Sequence, residues 1–223
     1  RSIASLLLTA SGGPFRDIPA ERLAQVTPAE ALAHPNWQMG PKITVDSATM
    51  VNKGLEIIEA HWLFAMPYDK IKVLIHPESI IHSLVSFTDG SQKALLSLPD
   101  MRLPIAYAVN EQERPEAPVA TLDLSSIGKL TFHQPDLSRF PALSIIRSAG
   151  EMGGTAPAYL NGANEFLVSA FLADKISFTA ISTILDKLLA GYNNQEASEL
   201  ANVYAADSQG RHDAQRLILS GRF

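Results

Sequence analysis

A pair of β-prone runs on either side of Asp89-Gly90 is the feature that most constrains the fold. An Asp-Gly pair favours a tight hairpin turn because the turn needs residues that accept a positive φ. The sequence therefore predicts that residues 80–87 and 93–98 pair as antiparallel strands. Short apolar runs predict further strands over residues 3–9, 43–45 and 71–75. Together they indicate an α+β fold, in which a mixed sheet carries helices on one face.

The last third of the chain follows a helical pattern. Apolar residues at helix spacing predict helices over residues 141–151, 156–174, 179–190 and about 194–219. Gly153-Gly154 and Gly191 supply helix stops, and Thr179 is positioned to cap the third helix. This spacing is typical of a small antiparallel helical bundle. We therefore expect a sheet domain over residues 1–110, a charged, proline-containing linker over 111–136 and a helical domain over 137–223.

Composition excludes several classes of function. The formal net charge of −5 and the pI near 5.7 argue against nucleic acid or an anionic membrane as the main partner. With no cysteine in the chain, disulfides, thiolate catalysis and cysteine zinc sites are excluded. No run approaches the roughly 20 apolar residues of a membrane span. Any recognition of phosphate must therefore be local.

A local site of this kind is predicted in KITVDSATMVNKGLE, residues 42–56. The pattern indicates a short strand, a turn with the hydroxyls of Ser47 and Thr49, and a helix that opens at Asn52. On that helix Asn52, Lys53 and Glu56 share one face. The free amides of a helix start and a lysine favour a phosphate, and a carboxylate one turn later favours a divalent cation. Spacing alone also allows, and on its own favours, a capped helix with a Lys–Glu pair on a solvated face.

The helix is expected to bury one face and to end at Pro67, with Leu55, Ile58, Trp62 and Met66 on that face.

The flanking segments add weaker signals. The turn at Ser11, which is followed by two glycines, can offer a hydroxyl and backbone amides to a ligand, or it is a plain turn. Residues 14–41 predict a lid loop, which begins with a near capping box at Thr27 and carries His34 and Trp37. Trp37 either closes over a ligand or anchors the loop. His76 and His82 are six apart, so on one strand both would point to the same side; without a third ligand we expect a structural role.

Four segments together resemble the 1-deoxy-D-xylulose 5-phosphate reductoisomerase family: LLTASGGPF, HPNWQMGPKITVDSATMVNKGLE, IHPESIIHS and PDMRLPIAYA. YLNGANE, residues 159–165, matches the family's C-terminal domain. The resemblance covers essentially the whole chain and implies an oxidoreductase of non-mevalonate isoprenoid biosynthesis. It implies an NADPH-dependent and Mg²⁺- or Mn²⁺-dependent conversion of 1-deoxy-D-xylulose 5-phosphate to 2-C-methyl-D-erythritol 4-phosphate. It also implies a homodimer, for which strands 80–87 and 93–98 are the expected location, in a bacterial cytoplasm or a plastid stroma.

The resemblance also assigns roles to individual positions. It implies that Lys53 and Glu56 are catalytic, that Glu56 is one of three acidic metal ligands, and that three further residues approach the nicotinamide of NADPH. These three are Met39, Gly40 and Met101. The implied substrate ligands are Ser11, His34, Trp37, Ser47, Asn52, Lys53 and Glu56.

The family's NADPH-binding domain and its other two metal carboxylates lie in a part that this sequence does not contain. The chain is therefore expected to be a fragment that binds metal and NADPH poorly and is inactive alone. Two alternatives stay open: a non-catalytic phosphate-binding or dimerisation fragment, and a different sugar-phosphate isomerase on a related module.

Overall fold

The computed structural model describes residues 2–33, 39–111, 113–114, 116, 119–221 and 223. Within these residues no helix is long and apolar enough to cross a membrane.

The sheet of the described chain has four strands in the order β2-β1-β3-β4. They are β1 (Ile3–Ala10), β2 (Ile71–Ile75), β3 (Ile81–Phe87) and β4 (Gln92–Leu96). Strand β1 runs parallel to β2 and antiparallel to β3, so the sheet is mixed as predicted. Strands β3 and β4 form the predicted hairpin. Gly90 takes a φ of +87° in its turn, and the Asp89 carboxylate accepts hydrogen bonds from the amide and hydroxyl of Ser91.

The helices account for most of the remaining chain. In order they are α1 (Ala20–Leu23), α2 (Pro28–Leu32), α3 (Pro41–Thr49), α4 (Val51–Phe64), α5 (Arg102–Val109), α6 (Leu124–Ile127), α7 (Ala142–Met152), α8 (Ala156–Leu172), α9 (Phe178–Gly191) and α10 (Leu200–Ser220).

The predicted strand over residues 43–45 is wrong, because these residues form the first turns of α3. Pro41 occupies the start of the helix, where its fixed φ is favourable. The Thr44 hydroxyl donates to the Gly40 carbonyl at 2.8 Å, and Thr44 and Val45 are buried. Two of the three β-branched residues that suggested a strand are buried on the inner side of the helix, whereas Ile43 is 41% exposed, so burial of Thr44 and Val45 overrides their intrinsic preference.

The sheet separates two apolar clusters. On one face Leu8 and Ile71 join the main core, which continues through Ile57 of α4 to Leu160 of α8. The opposite face carries a small cluster of Leu7, Ile81 and Leu84. Helices therefore cover one face of the sheet, as expected for the predicted α+β fold.

Helix α4 buries a face rotated from the predicted one, although Leu55, Ile58 and Met66 of the predicted face are half-buried and pack against the core. Its buried positions are Val51, Gly54, Ile57 and Ala60. Trp62, which the pattern placed inward, is 75% exposed. A Cβ on Gly54 would lie 2.6 Å from the Ile146 Cβ, so α4 and α7 approach too closely for any side chain there. The glycine shifts the contact face toward itself, and the apolar spacing did not reveal this shift.

The first half of the predicted lid, residues 14–33, packs onto the core. Phe15 and Leu23 are 1% and 2% exposed. The capping box predicted at Thr27 is formed with Glu30. The Arg139 guanidinium donates to the carbonyls of Phe15, Arg16 and Ile18 and holds this segment. His34 and Trp37 lie outside the described residues, so the lid itself stays a prediction.

The predicted helices of the last third are present with shifted starts. Ser177, rather than the predicted Thr179, caps α9 by accepting from the Ala180 amide. Helix α10 begins at Leu200 rather than near 194, because Asn194 accepts from the Thr155 amide and donates to the Gly153 carbonyl. The bundle shares its core with α3 and α4. The domain boundaries stay a prediction.

Residues of the predicted linker run over the sheet edge. The backbone of His133 pairs with that of Ile75 next to β2, and Thr131 donates its hydroxyl to the Glu78 carboxylate at 2.5 Å. This part of the segment is therefore an arm fixed against the sheet.

Candidate active site

A cleft of about 470 Å³ opens where β1 ends and α3 meets α4. Among the residues predicted for the site, seven line it: Ser11, Met39, Ser47, Asn52, Lys53, Glu56 and Met101. The cleft is thus formed by three separate stretches of chain, around residues 9–12, 39–56 and 76–101.

The turn between α3 and α4 determines how residues 39–56 line the cleft. Met50 is buried and takes a left-handed backbone conformation, with a φ of +69°. One left-handed residue between two helices turns the chain sharply. As a result, Ser47 at the end of α3 and Asn52 near the start of α4 face the same cleft.

Thr49 is not a ligand-facing hydroxyl, contrary to the interpretation of the hydroxyl-rich turn. It is 2% exposed, accepts from the Val51 amide at 3.3 Å and donates to the Asp46 carbonyl at 3.2 Å. Its hydroxyl therefore satisfies one of the free amides at the start of α4. Of the two hydroxyls in this turn, only that of Ser47 faces the cleft.

Lys53 and Asn52 both contact Glu56. The Lys53 ammonium donates to the Glu56 carboxylate at 2.5 Å and to the Thr9 carbonyl at 2.7 Å. The Asn52 amide donates to the other Glu56 oxygen at 2.7 Å. The Lys53 side chain is 12% exposed, so this is an oriented cation at the wall of a cleft rather than a surface pair. The predicted shared face of the three residues is confirmed.

The turn after β1 lies directly against α3. Gly13 has a φ of +67°, and a Cβ there would be 3.0 Å from the Ala48 Cα and 3.1 Å from the Ser47 carbonyl oxygen. The Ser11 hydroxyl accepts from the Gly13 amide at 3.2 Å. Glycine is therefore required for both the backbone conformation and the close approach. The contact places Ser11 and Ser47 on neighbouring walls.

The two histidines line the same cleft from different elements. The expectation that they share one strand is wrong, because β2 ends before His76 and β3 begins at Ile81. His76 is fully buried; its Nε2 accepts from the Ile80 amide at 3.1 Å, so Nδ1 carries the proton that it donates to the Thr131 carbonyl at 2.9 Å. This arrangement fixes the turn between the strands and agrees with the predicted structural role.

His82 donates through Nε2 to the Ser97 carbonyl at 3.1 Å. The pKa of His82 is lowered, chiefly by burial and to a smaller extent by the neighbouring His76. The hydrogen bond to the Ser97 carbonyl raises the pKa but does not cancel this effect. Neutral His82 is therefore favoured at the cleft wall.

The predicted nicotinamide-side residues differ in position. Met39 and Met101 line the cleft, and Met101 is 56% exposed. Gly40 caps the start of α3 and accepts from the Thr44 amide at 3.1 Å. The sulfur-bearing side chains give that end of the cleft an apolar, adaptable surface.

A buried polar cluster behind α3 was missed by the sequence reasoning. Asp46, 1% exposed, contacts the Lys42 ammonium at 2.7 Å and accepts from the Asn164 amide at 2.8 Å. Burial raises the pKa of Asp46, although the hydrogen bonds from Lys42 and Asn164 oppose that rise. Lys42 and Asp46 are four residues apart, a spacing that predicts an ion pair on a helix. The prediction of a strand over residues 43–45 excluded that interpretation.

Comparison with known proteins gives the same family from two parts of the chain. Residues 1–64 match the model of the 1-deoxy-D-xylulose 5-phosphate reductoisomerase C-terminal domain, and residues 96–213 match that of the DXP reductoisomerase C-terminal domain. This chain belongs to the 1-deoxy-D-xylulose 5-phosphate reductoisomerase family. The family resemblance stated from the sequence motifs is confirmed.

Individual reductoisomerases are similar over nearly the whole chain. The Ralstonia nicotianae reductoisomerase is 55% identical over 216 residues, which are 97% of this chain and 55% of that protein. The Burkholderia pseudomallei reductoisomerase is 55% identical, over 97% of this chain and 54% of that protein. The chain thus spans about half the length of the curated reductoisomerases it matches.

Solved reductoisomerase structures share the fold. The enzyme from Zymomonas mobilis in complex with NADPH is 43% identical, with a TM-score of 0.92, over 98% of this chain and 56% of that one. A reductoisomerase in complex with NADPH, fosmidomycin and magnesium is 43% identical, with a TM-score of 0.91, over 99% of this chain and 57% of that one. These matches confirm the arrangement of sheet and helices.

The described residues alone do not supply the ligands of a divalent cation. They contain no group of three or more His, Cys, Asp or Glu side chains that could hold a metal ion. Both Glu56 oxygens already accept hydrogen bonds, and such a cation takes about six oxygen ligands. On the predicted nicotinamide side the described cleft offers two methionines. Glu56 can therefore be at most one ligand of a larger reductoisomerase metal site.

Proposed function

We propose that this chain is the substrate-binding portion of a reductoisomerase that converts 1-deoxy-D-xylulose 5-phosphate to 2-C-methyl-D-erythritol 4-phosphate. In this proposal the whole enzyme depends on NADPH and on Mg²⁺ or Mn²⁺ and serves non-mevalonate isoprenoid biosynthesis. The chain alone is inactive. Membership of the family and the presence of NADPH, fosmidomycin and magnesium in a related structure support the proposal.

The observation that carries the proposal is the set of donors around one cleft. Two serine hydroxyls, the Asn52 amide and the Lys53 ammonium all border the same space, although Ser11 comes from a different stretch of chain from the other three. A phosphate is bound by a positive charge and by several hydrogen-bond donors. Lysine attracts the phosphate as a point charge, and the hydroxyls and amides fix its orientation. These four residues are proposed to hold the phosphate end of the substrate.

Binding there would position the rest of the substrate. The phosphate is remote from the reacting carbons, so its binding free energy can be used to orient them. Glu56 accepts a hydrogen bond from Lys53 and is proposed to contribute one metal ligand, with the others supplied outside this chain. Each of its two oxygens accepts one hydrogen bond, from Asn52 or from Lys53, and keeps a further lone pair that a cation can use.

Two further groups of residues complete the proposal. His34 and Trp37 are proposed to cover the bound substrate and exclude water. Met39, Gly40 and Met101 are proposed to border the nicotinamide. No step of the reaction is assigned to these residues.

The proposal is tested by the binding of fosmidomycin to this chain. Isothermal titration calorimetry of the wild type is compared with Lys53→Ala and with Lys72→Ala, a lysine on β2 that does not line the cleft. A charged hydrogen bond to an anion contributes about 1.5–3 kcal/mol, so Lys53→Ala should weaken binding about 10- to 150-fold. Lys72→Ala should bind like the wild type.

Turnover requires the rest of the enzyme. The segment of the Ralstonia nicotianae reductoisomerase that this chain matches can be replaced by this chain, and the chimera assayed with Mg²⁺ and NADPH. Lys53→Ala and Glu56→Ala should each lower kcat/KM by at least about tenfold. Wild-type efficiency in both variants would refute the site assignment, and binding of fosmidomycin without turnover would favour the non-catalytic alternative.

We also propose that the enzyme is a homodimer that uses strands β3 and β4. Strand β4 is a sheet edge, and Leu95 on it is 50% exposed. Exposed edges and apolar side chains are surfaces on which chains associate. Light scattering of the wild type and Leu95→Lys tests this: the wild type should have twice the monomer mass, and the variant should dissociate.

A further inference from the structure

Helix α3 is held from behind by charged groups that lie outside the cleft. Asp46 bridges two partners: the ammonium of Lys42 on the same helix, at 2.7 Å, and the amide of Asn164 on α8, at 2.8 Å. Lys42 also contacts the Glu165 carboxylate of α8 at 3.1 Å. We call Lys42, Asp46, Asn164 and Glu165 the α3–α8 cluster.

This cluster lies next to the proposed phosphate ligands in the chain. Asp46 directly precedes Ser47, so the buried carboxylate and the hydroxyl that faces the cleft belong to the same helical turn. On the cleft side α3 is packed against the turn at Gly13. Helix α3 is therefore fixed between that turn and α8, and its position sets the distance from Ser47 to the start of α4.

The cluster is costly to bury, which argues against a merely incidental contact. Asp46 and Asn164 are 1% and 0% exposed. Within the described residues the Asn164 carbonyl oxygen is buried without a hydrogen-bond partner. Buried polar atoms are normally paired, and an apolar pair of the same shape would avoid this cost. The directional hydrogen bond to Asp46 is what the asparagine provides and an apolar residue would not.

We infer that Asn164 and Lys42 act through Asp46 as positioning residues for the phosphate-binding side of the cleft. Helix α8 thereby sets where Ser47 stands relative to Asn52 and Lys53. The inference rests on the proposed function for the identity of the ligand, but the placement of α3 is a property of the chain itself. Misplacing a binding group by about 1 Å can reduce a rate or an affinity by up to about a hundredfold.

The first variant, Asn164→Leu, removes the hydrogen bond at nearly constant volume. The second, Lys42→Gln, removes the ion pairs at a partly exposed position and keeps the test possible if Asn164→Leu does not fold. The control is Tyr159→Phe, which removes a half-buried hydrogen bond from α8 to Asp213 of α10 rather than one to α3. The double variant Asp46→Asn with Asn164→Asp reverses the donor and acceptor at constant net charge.

Two measurements are made on each variant of this chain. Hydrogen–deuterium exchange at residues 47–54 reports the placement of α3 without any ligand. Calorimetry with fosmidomycin reports the cleft. We expect Asn164→Leu and Lys42→Gln to speed exchange there and to weaken binding about ten- to a hundredfold. Tyr159→Phe should change neither, and the reversed pair should restore both in part.

The two proposals fail differently. If the wild-type chain does not bind fosmidomycin and the chimera does not turn over, the proposed function is wrong, and the exchange data alone decide the positioning role. If exchange at residues 47–54 responds equally to Tyr159→Phe and Asn164→Leu, the cluster contributes only general stability and the inference is overturned. The same conclusion follows if the wild type binds and the variants of the cluster bind as tightly.

Discussion

Substitution of Gly13 by alanine tests whether the turn after β1 really rests on α3. Gly13 has a φ of +67°, which costs an L-residue about 1–2 kcal/mol. The new Cβ would also lie 3.0 Å from the Ala48 Cα, and backbone cannot move aside as a flexible side chain can. Overpacking of this kind costs about 1–3 kcal/mol more. Gly13→Ala should therefore destabilise the chain by about 2–5 kcal/mol in total.

Gly90 supplies a matched control. It has a φ of +87° in the β3–β4 turn, and a Cβ there would meet nothing within 4 Å. Gly90→Ala should therefore cost only the conformational part, about 1–2 kcal/mol. The difference between the two variants isolates the contact with α3.

Urea denaturation followed by circular dichroism measures both costs, with the m-value as a check that the unfolded state has not changed. Fosmidomycin calorimetry on the same samples should show weaker binding for Gly13→Ala and no change for Gly90→Ala, because only the former moves Ser11 relative to Ser47. Equal destabilisation by the two alanines, within about 0.5 kcal/mol, would show that the turn and α3 are not in contact.

Three further predictions concern other contacts. Burial lowers the pKa of His82 below its usual 6.5, so below that pH the unfolded chain binds more protons than the folded chain. The free energy of unfolding should therefore fall as the solution is acidified through about pH 6.5, and it should fall less in His82→Gln. Thermal melts across this pH range measure the difference. Asn194→Ala removes an amide that bonds Thr155 at the start of α8 and should cost about 1–3 kcal/mol in urea denaturation, whereas no loss would mean that the segment before α10 is not anchored there. Arg139→Met leaves three carbonyls of the segment after β1 without their donor and should make that segment, but not α9, more sensitive to proteolysis.

The parts of the fold that the sequence predicted correctly are those set by neighbouring residues. Asp89-Gly90 specifies its own turn, so the hairpin was predictable from two residues and their flanks. The capping box at Thr27 is likewise complete within four residues. The shared face of Asn52, Lys53 and Glu56 follows from helix spacing alone.

The errors arise where distant residues decide. Ile43 to Val45 have a strand's composition, but they follow Pro41 at a helix start, and Thr44 and Val45 are buried on the inner side of α3. Apolar spacing predicted that Trp62 faces inward, but Trp62 is exposed. The buried face of α4 is set by its close approach to α7 at Gly54 and Ile146, which are far apart in the chain. Asp46 and Asn164 are 118 residues apart, so no local pattern could have joined them.

The cleft itself depends on a strained joint that sequence reasoning had no reason to expect. Methionine is rarely left-handed, and Met50 at a φ of +69° costs about 1–2 kcal/mol relative to an ordinary helical residue. That cost is offset locally, since Met50 is 3% exposed and the Thr49 hydroxyl accepts from the Val51 amide just beyond it. Without the joint, α3 and α4 would continue as one helix. Ser47 and Asn52 are five residues apart, and on one continuous helix this spacing would place them on different sides. Strain retained at such a point is typical of functional sites, and here it is what brings Ser47 to the same cleft as Asn52 and Lys53.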